Sequence, residues 1–410
     1  MLPRAWLFLM VIALFLSACG ASAPPTATPE PLEITFSYYN RALEPYYEQM
    51  KADFEAAHPR WQVVLKTGNA FGGNMLESKA DVAEVMQLPI ATLAKNGTIR
   101  PLDPLIQESG LDLDSFYQSA LDASRWQGQL WGLPLGVDPM VLYYNKDIFD
   151  SKGVPYPNDN WTWDDLLEAA LRLTDPAAEP TLYGLAYALF GGDLVSFIYQ
   201  NGGTLFDSLI EPTTITLTDP ATVEAIEWYA NLALAHEVMP APTELDAQGG
   251  SQMLIISQRA AMWYGSLSER GGKSWGMDWK FSWGIAPPPA GKQRASLLWA
   301  RTCVLSAQSP HPQAAWQWAR YVATHPPTNY DVPALKEAAE ADSLFATEAP
   351  EVAAAARVSL ASGYAFPSVA WLAELGNWLS RALNDIFRGD VSVAEALTEA
   401  QERANERLGQ

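Results

Sequence analysis

Aromatic side chains are the residues of this sequence whose type and spacing could do chemistry. There are 16 tryptophans among 410 residues, as many as tyrosines and more than methionines. Five of them, Trp263, Trp275, Trp279, Trp283 and Trp299, lie close together in the chain. An indole offers a flat apolar face that suits the C–H face of a pyranose ring, whose hydroxyl groups need polar partners. The cluster therefore predicts either a carbohydrate-binding cleft or an aromatic core.

We expect these two possibilities to divide the cluster. Trp279 and Trp283 lie in or beside an apolar strand pattern, which favours burial in the core. Trp263 lies at the end of a predicted strand, and Trp299 lies beside Arg301. For Trp263 and Trp299 we therefore expect a position at a cleft.

No catalytic motif accompanies the aromatic cluster. The stretch Gly271–Ser274 (GGKS) superficially resembles a phosphate-binding loop, but the first glycine of that motif would fall at Leu267. The sequence contains neither G-x-S-x-G nor H-E-x-x-H, and three of its four histidines directly precede proline, which predicts a surface position. We expect no metal and no cofactor. The pattern favours a binding protein over an enzyme, although a carboxylate pair of an extracellular glycoside hydrolase stays an alternative.

Charge and composition narrow the range of partners. The chain has 26 Lys+Arg against 47 Asp+Glu, a formal net charge of −21, which disfavours nucleic acid and charge-driven adhesion to anionic lipid. Its 49% hydrophobic and 18% charged residues are typical of a globular protein, and its length suggests two domains or one large one. Two cysteines exclude a disulfide framework.

The first 31 residues predict export and anchoring. The apolar run Ala5–Leu16 is short for a membrane span, and small residues lead from it to Cys19. A cysteine at that junction resembles the bacterial lipoprotein signal, which implies a signal peptide over 1–18 and a lipid on Cys19. Residues 19–31, rich in Pro and Thr, would be an extended tether. An ordinary signal peptide or an anchor helix is the alternative, and Cys303 is expected to be a small buried side chain.

The elements that must position these residues alternate between strand and helix. This alternation favours a three-layer α/β sheet over a barrel of hairpins. Strands are predicted over Leu32–Tyr38, Trp61–Thr67, Ala80–Met86, Arg259–Tyr264, Phe281–Ala286 and Leu297–Leu305. Helix starts are predicted at Thr162 with Asp165, at Asp219-Pro220, and at Ser392 with Glu395, and a further helix over Tyr46–Ala57.

A block in the middle of the chain carries a family resemblance. Gly128–Phe149 (GQLWGLPLGVDPMVLYYNKDIF), followed by Trp161–Leu166 (WTWDDL), resembles the signature of extracellular solute-binding proteins of sugar ABC importers, the relatives of maltose- and multiple-sugar-binding proteins. Weaker similarities in the expected order extend from about Leu32 to Leu408. The resemblance implies a substrate-binding lipoprotein on the extracytoplasmic face of the bacterial membrane, which passes a carbohydrate to ABC permease subunits. A ligand-sensing subunit of a membrane receptor is an alternative.

The fold implied by this resemblance is an α/β, two-lobed clamshell of the periplasmic-binding type (type II-like), in which each lobe is a sheet flanked by helices. The amino-terminal lobe would comprise residues 32–138 plus 288–322, and the carboxy-terminal lobe residues 139–287 plus 323–410. The protein is expected to be a monomer that closes on ligand by a hinge motion.

The resemblance also implies ligand contacts, one position at a time. The loop after the first strand would contribute Tyr39 and Asn40, and the loop after the second Asn69, with Phe71 as a further candidate. Asp138 would accept hydrogen bonds from sugar hydroxyls at the first crossing between lobes. The AAMWYG turn would supply Trp263, Tyr264 and Gly265, and a later helix would supply Trp371 as an aromatic platform.

The sequence departs from the family pattern at Trp299-Ala300-Arg301, where a Gly-rich stretch is common. The guanidinium of Arg301 could form a two-pronged contact with a carboxylate or phosphate. The ligand would then be an acidic sugar or glycerol phosphate rather than a neutral sugar. The alternative is an Arg301 that pairs with one of the chain's many Asp or Glu residues.

Overall fold

The computed structural model describes residues 31–72, 75, 79–187, 192–208, 212–327, 330–341, 349–369 and 372–408. The predicted signal peptide, Cys19, all but the last residue of the predicted tether, and Trp371 lie outside these residues. Within the described part of the chain, no helix combines the length and the apolar character that a membrane crossing requires.

The strands follow the alternating apolar patterns of the sequence. Those in the described ranges are β1 (Leu32–Tyr38), β2 (Trp61–Thr67), β3 (Val82–Met86), β4 (Arg125–Trp126), β5 (Gln129–Leu130), β6 (Gly132–Asn145), β7 (Tyr183–Ala186), β8 (Ala260–Ser266), β9 (Trp283–Ala286), β10 (Ser296–Leu305), β11 (Val332–Pro333) and β12 (Gly363–Ala365). The first two have the predicted bounds, and β8 runs two residues beyond its predicted end.

The helices described are α1 (Glu44–Ala57), α2 (Ile90–Lys95), α3 (Asp103–Ser109), α4 (Gln118–Ala123), α5 (Lys146–Lys152), α6 (Trp163–Leu173), α7 (Gly192–Gln200), α8 (Pro220–Leu234), α9 (Pro242–Ala247), α10 (Ser251–Ile256), α11 (Pro312–Thr324), α12 (Lys336–Ala341), α13 (Pro350–Ala361), α14 (Leu372–Arg388) and α15 (Val393–Leu408). Short 3-10 segments cover Arg41–Leu43, Leu113–Ser115 and Leu267–Trp275.

Predicted caps start two of these helices. Thr162 and Asp165 form a reciprocal capping box at the start of α6, and Ser392 and Glu395 do the same at α15. Each box satisfies backbone N–H groups that the first turn of a helix leaves without partners. Pro220 begins α8 as predicted, but the side chain of Asp219 makes no capping hydrogen bond.

The main sheet has the order β2-β1-β3-β10-β6-β8-β7, with β9 and β11 also paired to β6 and β12 to β10. β1 is parallel to β2 and β3, whereas β10 is antiparallel to β3 and β6. Helices flank this sheet, as the predicted α/β fold class requires. We refer to β1, β2 and β3 as the first strand group, and to β7, β8 and β9 as the second.

The long strand β6 links the two strand groups. Its first half pairs with β10 and β11, and its second half, from Met140 to Asn145, pairs with β8 and β9. Asp138 lies at the change-over and is half-buried, while the other residues of β6 are buried. A half-buried polar side chain thus lies at the junction of an otherwise buried strand.

Apolar clusters cover both faces of the sheet at the second half of β6. Along β6, Val141 and Tyr143 belong to one apolar cluster, whereas Leu142 and Tyr144 belong to another. This alternation is the period of two that places successive strand residues on opposite faces. Cys303 on β10 is fully buried, as predicted.

Candidate functional site

A cavity of about 1080 Å³ lies at the junction of the two strand groups. From the first group it is lined by Tyr39, which follows β1, and Phe71, which follows β2. From the second it is lined by Gly265 and by Glu269 of the adjoining 3-10 segment. Strands β6 and β10 border it between the two groups.

The lining combines aromatic rings with a small number of polar groups. Such a combination is typical of ligand sites, because apolar surfaces provide contact area and polar groups fix orientation. The aromatic members are Tyr39, Phe71, Tyr187, Tyr229, Trp275, Trp299, Tyr330, Phe366 and Phe387. The polar members with ionisable or amide side chains are Asp138, Gln252, Glu269, Arg301, Asp331 and Asn384.

Asp138 is held by the 3-10 segment that follows β8. Its Oδ1 accepts a hydrogen bond from the backbone N of Ser268 at 2.9 Å, and its Oδ2 accepts one from Ser268 Oγ at 2.5 Å. Burial raises the pKa of Asp138 to about 6, although both hydrogen bonds from Ser268 lower it. The carboxylate therefore ties β6 to the 3-10 segment at the cavity wall.

Arg301 is paired within the chain. Its Nε and Nη2 donate to Oδ2 and Oδ1 of Asp331 at 2.8 and 2.9 Å. Its Nη1 donates to Glu84 Oε1 at 3.2 Å and to Tyr47 Oη at 3.1 Å. The ion pairs are almost fully buried, and burial raises the pKa of Glu84 to about 7 against the opposing effect of Arg301.

This geometry corrects the expectation that the Arg301 fork is open to an acidic ligand. The bidentate arrangement in which a guanidinium binds a carboxylate is occupied by Asp331. The alternative, pairing with the chain's own acidic residues, is the one found. Arg301 still borders the cavity, so its contact with a ligand stays a prediction.

Glu269 is a carboxylate that the sequence analysis did not single out. Its Oε1 accepts a hydrogen bond from the backbone N of Ser266 at 3.2 Å. Burial raises its pKa to about 7, the Ser266 hydrogen bond lowers it, and the nearby charge of Asp138 raises it further. Glu269 lies four residues after Gly265, directly beyond the AAMWYG stretch. This position is the sequence signal that could have identified Glu269 as a site residue.

The predicted contacts that lie within the described residues divide into three sets. Tyr39, Asp138, Gly265, Trp299 and Arg301 come together around the cavity, and their roles as ligand contacts stay predictions.

Asn40 and Asn69 serve the local backbone instead. The side-chain oxygen of Asn40 accepts from Ala42 N at 3.1 Å and that of Asn69 from Phe71 N at 3.0 Å. Neither asparagine lines the cavity. Asn69 thereby shapes the turn that presents Phe71, whose ring is 59% exposed.

Trp263 and Tyr264 are buried and do not line the cavity, which corrects the expectation that the AAMWYG turn places them at the cleft. Trp263 is fully buried, stacked on Tyr143 at 5.6 Å between ring centroids and edge-on to Trp279 at 5.2 Å. Tyr264 is 1% exposed and lies edge-on to Phe197 at 5.3 Å. The physical reason is the position of β8, which lies between β6 and β7 with apolar clusters against both faces.

The expected core tryptophans are in the core. Trp279 is 8% exposed, and Trp283 is half-buried against the same apolar cluster. They surround Tyr143 together with Trp263. The dense spacing of tryptophans therefore builds an aromatic core beside the site, and Trp275 and Trp299 are the members of the cluster that reach the cavity.

Comparison with known proteins decides the family. The profile of the bacterial extracellular solute-binding protein family matches residues 40–328. The chain belongs to this family. It is 24% identical over 341 residues to an arabinooligosaccharide-binding protein of Bacillus subtilis (strain 168), a match that covers 76% of this chain and 74% of the relative.

Two further relatives are informative. A maltooligosaccharide ABC transporter solute-binding lipoprotein of Streptococcus pneumoniae is 27% identical over 144 residues, 33% of each chain. An ABC substrate-binding protein from Listeria monocytogenes, solved in complex with cycloalternan, superposes with a TM-score of 0.77 at 23% identity and covers 93% of this chain and 100% of its own. The likeness to this solved structure confirms the two-lobed periplasmic-binding fold.

Proposed function

We propose that this family member is the substrate-binding component of an ABC importer and that it captures a carbohydrate between its two lobes. The observation that carries the proposal is the cavity at the junction of the strand groups, where Tyr39 and Phe71 oppose Gly265 and Glu269. Rings give apolar faces for pyranose or furanose rings, and carboxylates accept hydrogen bonds from their hydroxyls. The names of relatives that bind arabino- and maltooligosaccharides support the same ligand class.

The lobes would be residues 32–138 plus 288–322 and residues 139–287 plus 323–410. The change of pairing partners along β6 at Asp138 supports the first boundary. Strand β10 supports a second crossing, because its carboxy-terminal half pairs with β3 and its amino-terminal half with β12. Closure around a ligand would then be a hinge motion about these crossing strands.

Binding is tested by calorimetry and thermal shift of the mature chain against a glycan panel that includes arabino-, malto- and manno-oligosaccharides, uronates and glycerol phosphates. The expected result is saturable binding of one or a few sugars. The midpoint of unfolding should rise with free sugar concentration, because a ligand that binds the folded state alone stabilises it by mass action. Absence of binding and of any melting shift across the panel would remove the carbohydrate assignment.

A binding role without catalysis is part of the proposal. Both carboxylate oxygens of Asp138 accept hydrogen bonds from Ser268. This arrangement suits a fixed hydrogen-bond acceptor better than a mobile acid or base. The bound oligosaccharide should be recovered unchanged after prolonged incubation at pH 5 to 8. Release of reducing ends by the wild-type chain, abolished in Glu269→Gln, would favour the glycoside hydrolase alternative.

We also propose that Cys19 carries a lipid that holds the mature protein at the extracytoplasmic face of the membrane. The full-length chain expressed in a bacterial host should partition into the detergent phase of Triton X-114. Cys19→Ala should move it to the aqueous phase. Cys303→Ala is the matched control, because Cys303 is buried in the fold and its loss should leave the partition unchanged.

A further inference from the structure

The charges on the cavity wall are unbalanced. Asp138, Glu269 and Asp331 line the cavity, and Arg301 is the one cation among its described lining residues. Behind the wall, Glu84 adds a further carboxylate against Arg301. Arg270, also buried, donates through Nη1 to the carbonyl oxygens of Leu267 and Tyr330 at 3.1 and 3.0 Å. Among the residues that the structure describes around this cavity, four carboxylates thus accompany two guanidinium groups.

The arrangement of the ion pairs decides which carboxylates face a ligand. Both carboxylate oxygens of Asp331 accept hydrogen bonds from Nε and Nη2 of Arg301, and Glu84 accepts one from Nη1. The hydrogen bonds given for Asp138 and Glu269 come instead from uncharged donors. These are Ser268 for Asp138, and the backbone N of Ser266 and the side chain of Trp275 for Glu269. Asp138 and Glu269 therefore lie outside the ion pairs that Arg301 makes with Asp331 and Glu84, and the positive charge beside Asp138 is that of Arg270.

We propose that Glu269, with Asp138 beside it, sets the charge selectivity of this site, so that neutral sugars and amino sugars bind in preference to uronates and sugar phosphates. This inference rests on the proposed function. Carboxylates accept hydrogen bonds from hydroxyl and ammonium groups, and they repel anions. In a partly desolvated wall, a carboxylate that faces a bound anion discriminates strongly against anionic ligands. Arg301 is the cation that could have reversed this preference, but its two-pronged contact is made with Asp331.

The test compares matched probes on the mature protein at pH 8. Calorimetry is carried out with maltotriose, arabinotriose and mannotriose, with the same trisaccharides oxidised to carboxylates at their primary alcohols, and with the glucosamine trisaccharide. The wild-type chain should bind at least one neutral or amino trisaccharide at least about tenfold more tightly than the oxidised form. Glu269→Gln should narrow that ratio by about tenfold, mainly by gaining affinity for the oxidised form.

Two variants keep the outcome interpretable. Glu168→Gln, an exposed change on α6 away from the cavity lining, should leave the ratio unchanged. Asp138→Asn carries the same test if Glu269→Gln does not fold, as judged by circular dichroism. Tighter or equal binding of the oxidised sugars by the wild type, or an unaltered ratio in the variants, overturns the inference and leaves the proposed function standing. Absence of binding to every probe and to the wider glycan panel overturns both.

Discussion

The guanidinium of Arg301 makes a two-pronged contact with the carboxylate of Asp331, with N–O distances of 2.8 and 2.9 Å. Arg301 is on β10, and Asp331 directly precedes β11, which pairs with β6. The carboxylate also fills the space above Gly136 of β6, where an added Cβ would come within 2.3 Å of Asp331 Oδ2. One ion pair thus joins three of the segments on which the two strand groups meet.

Asp331→Ala should lower the free energy of unfolding by about 3–5 kcal/mol, because it leaves the buried Arg301 with a single carboxylate partner. Urea unfolding followed by circular dichroism measures this loss. Glu399→Ala is the control, since it breaks an exposed ion pair with Arg403 one helical turn away. The control should cost less than about 1 kcal/mol. A loss of similar size in both variants would contradict a structural role for the buried pair.

Two tryptophans should respond to truncation in opposite ways. Trp263→Ala removes a fully buried ring and should cost about 3–5 kcal/mol of stability while leaving the sugar affinity of the native fraction unchanged. Trp299→Ala removes a half-buried ring that lines the cavity. It should weaken sugar binding by about 1–3 kcal/mol with a smaller loss of stability. Unfolding curves and calorimetry on both variants separate the two effects.

This contrast also marks the limit of the sequence analysis. The strand bounds of β1 and β2, the caps of α6 and α15 and the burial of Cys303 could be predicted because they depend on local patterns and side-chain size. Trp263 and Trp299 occupy similar sequence contexts, each in an apolar strand pattern near polar or small residues. Their different environments arise from the order of strands in the sheet, which no local pattern contains.

The partners of Arg301 illustrate the same limit for the site. Glu84 and Asp331 lie 217 and 30 residues away along the chain, and nothing in the surrounding sequence distinguishes them from the other acidic residues. Glu269 was missed for a related reason, since a polar segment after a strand usually predicts a solvated turn. Its function as a cavity wall follows from the burial of the 3-10 segment against β6 and β8.

Helix α6 offers a direct test of a predicted cap. Thr162→Ala removes the hydroxyl that accepts from Asp165 N and should lower the free energy of unfolding by about 1 kcal/mol. Thr162→Ser retains the hydroxyl and should remain within a few tenths of a kcal/mol of the wild type. Denaturant unfolding of the three chains measures the differences, and equal stability of the alanine and serine variants would show that the capping box contributes nothing.

The buried carboxylate of Glu269 should make stability depend on pH. Burial raises its pKa in the folded chain to about 7 from the ordinary value of 4.5, so between these values the folded state binds the proton more tightly than the unfolded state. The free energy of unfolding should therefore fall as pH rises through this window, and the penalty is complete above about pH 8. Relative to Glu269→Gln, the wild type should lose up to roughly 3 kcal/mol between pH 4.5 and 8. Urea unfolding at half-unit pH steps measures the difference, with Glu168→Gln expected to follow the wild type, and a difference that does not change with pH would show that Glu269 titrates normally.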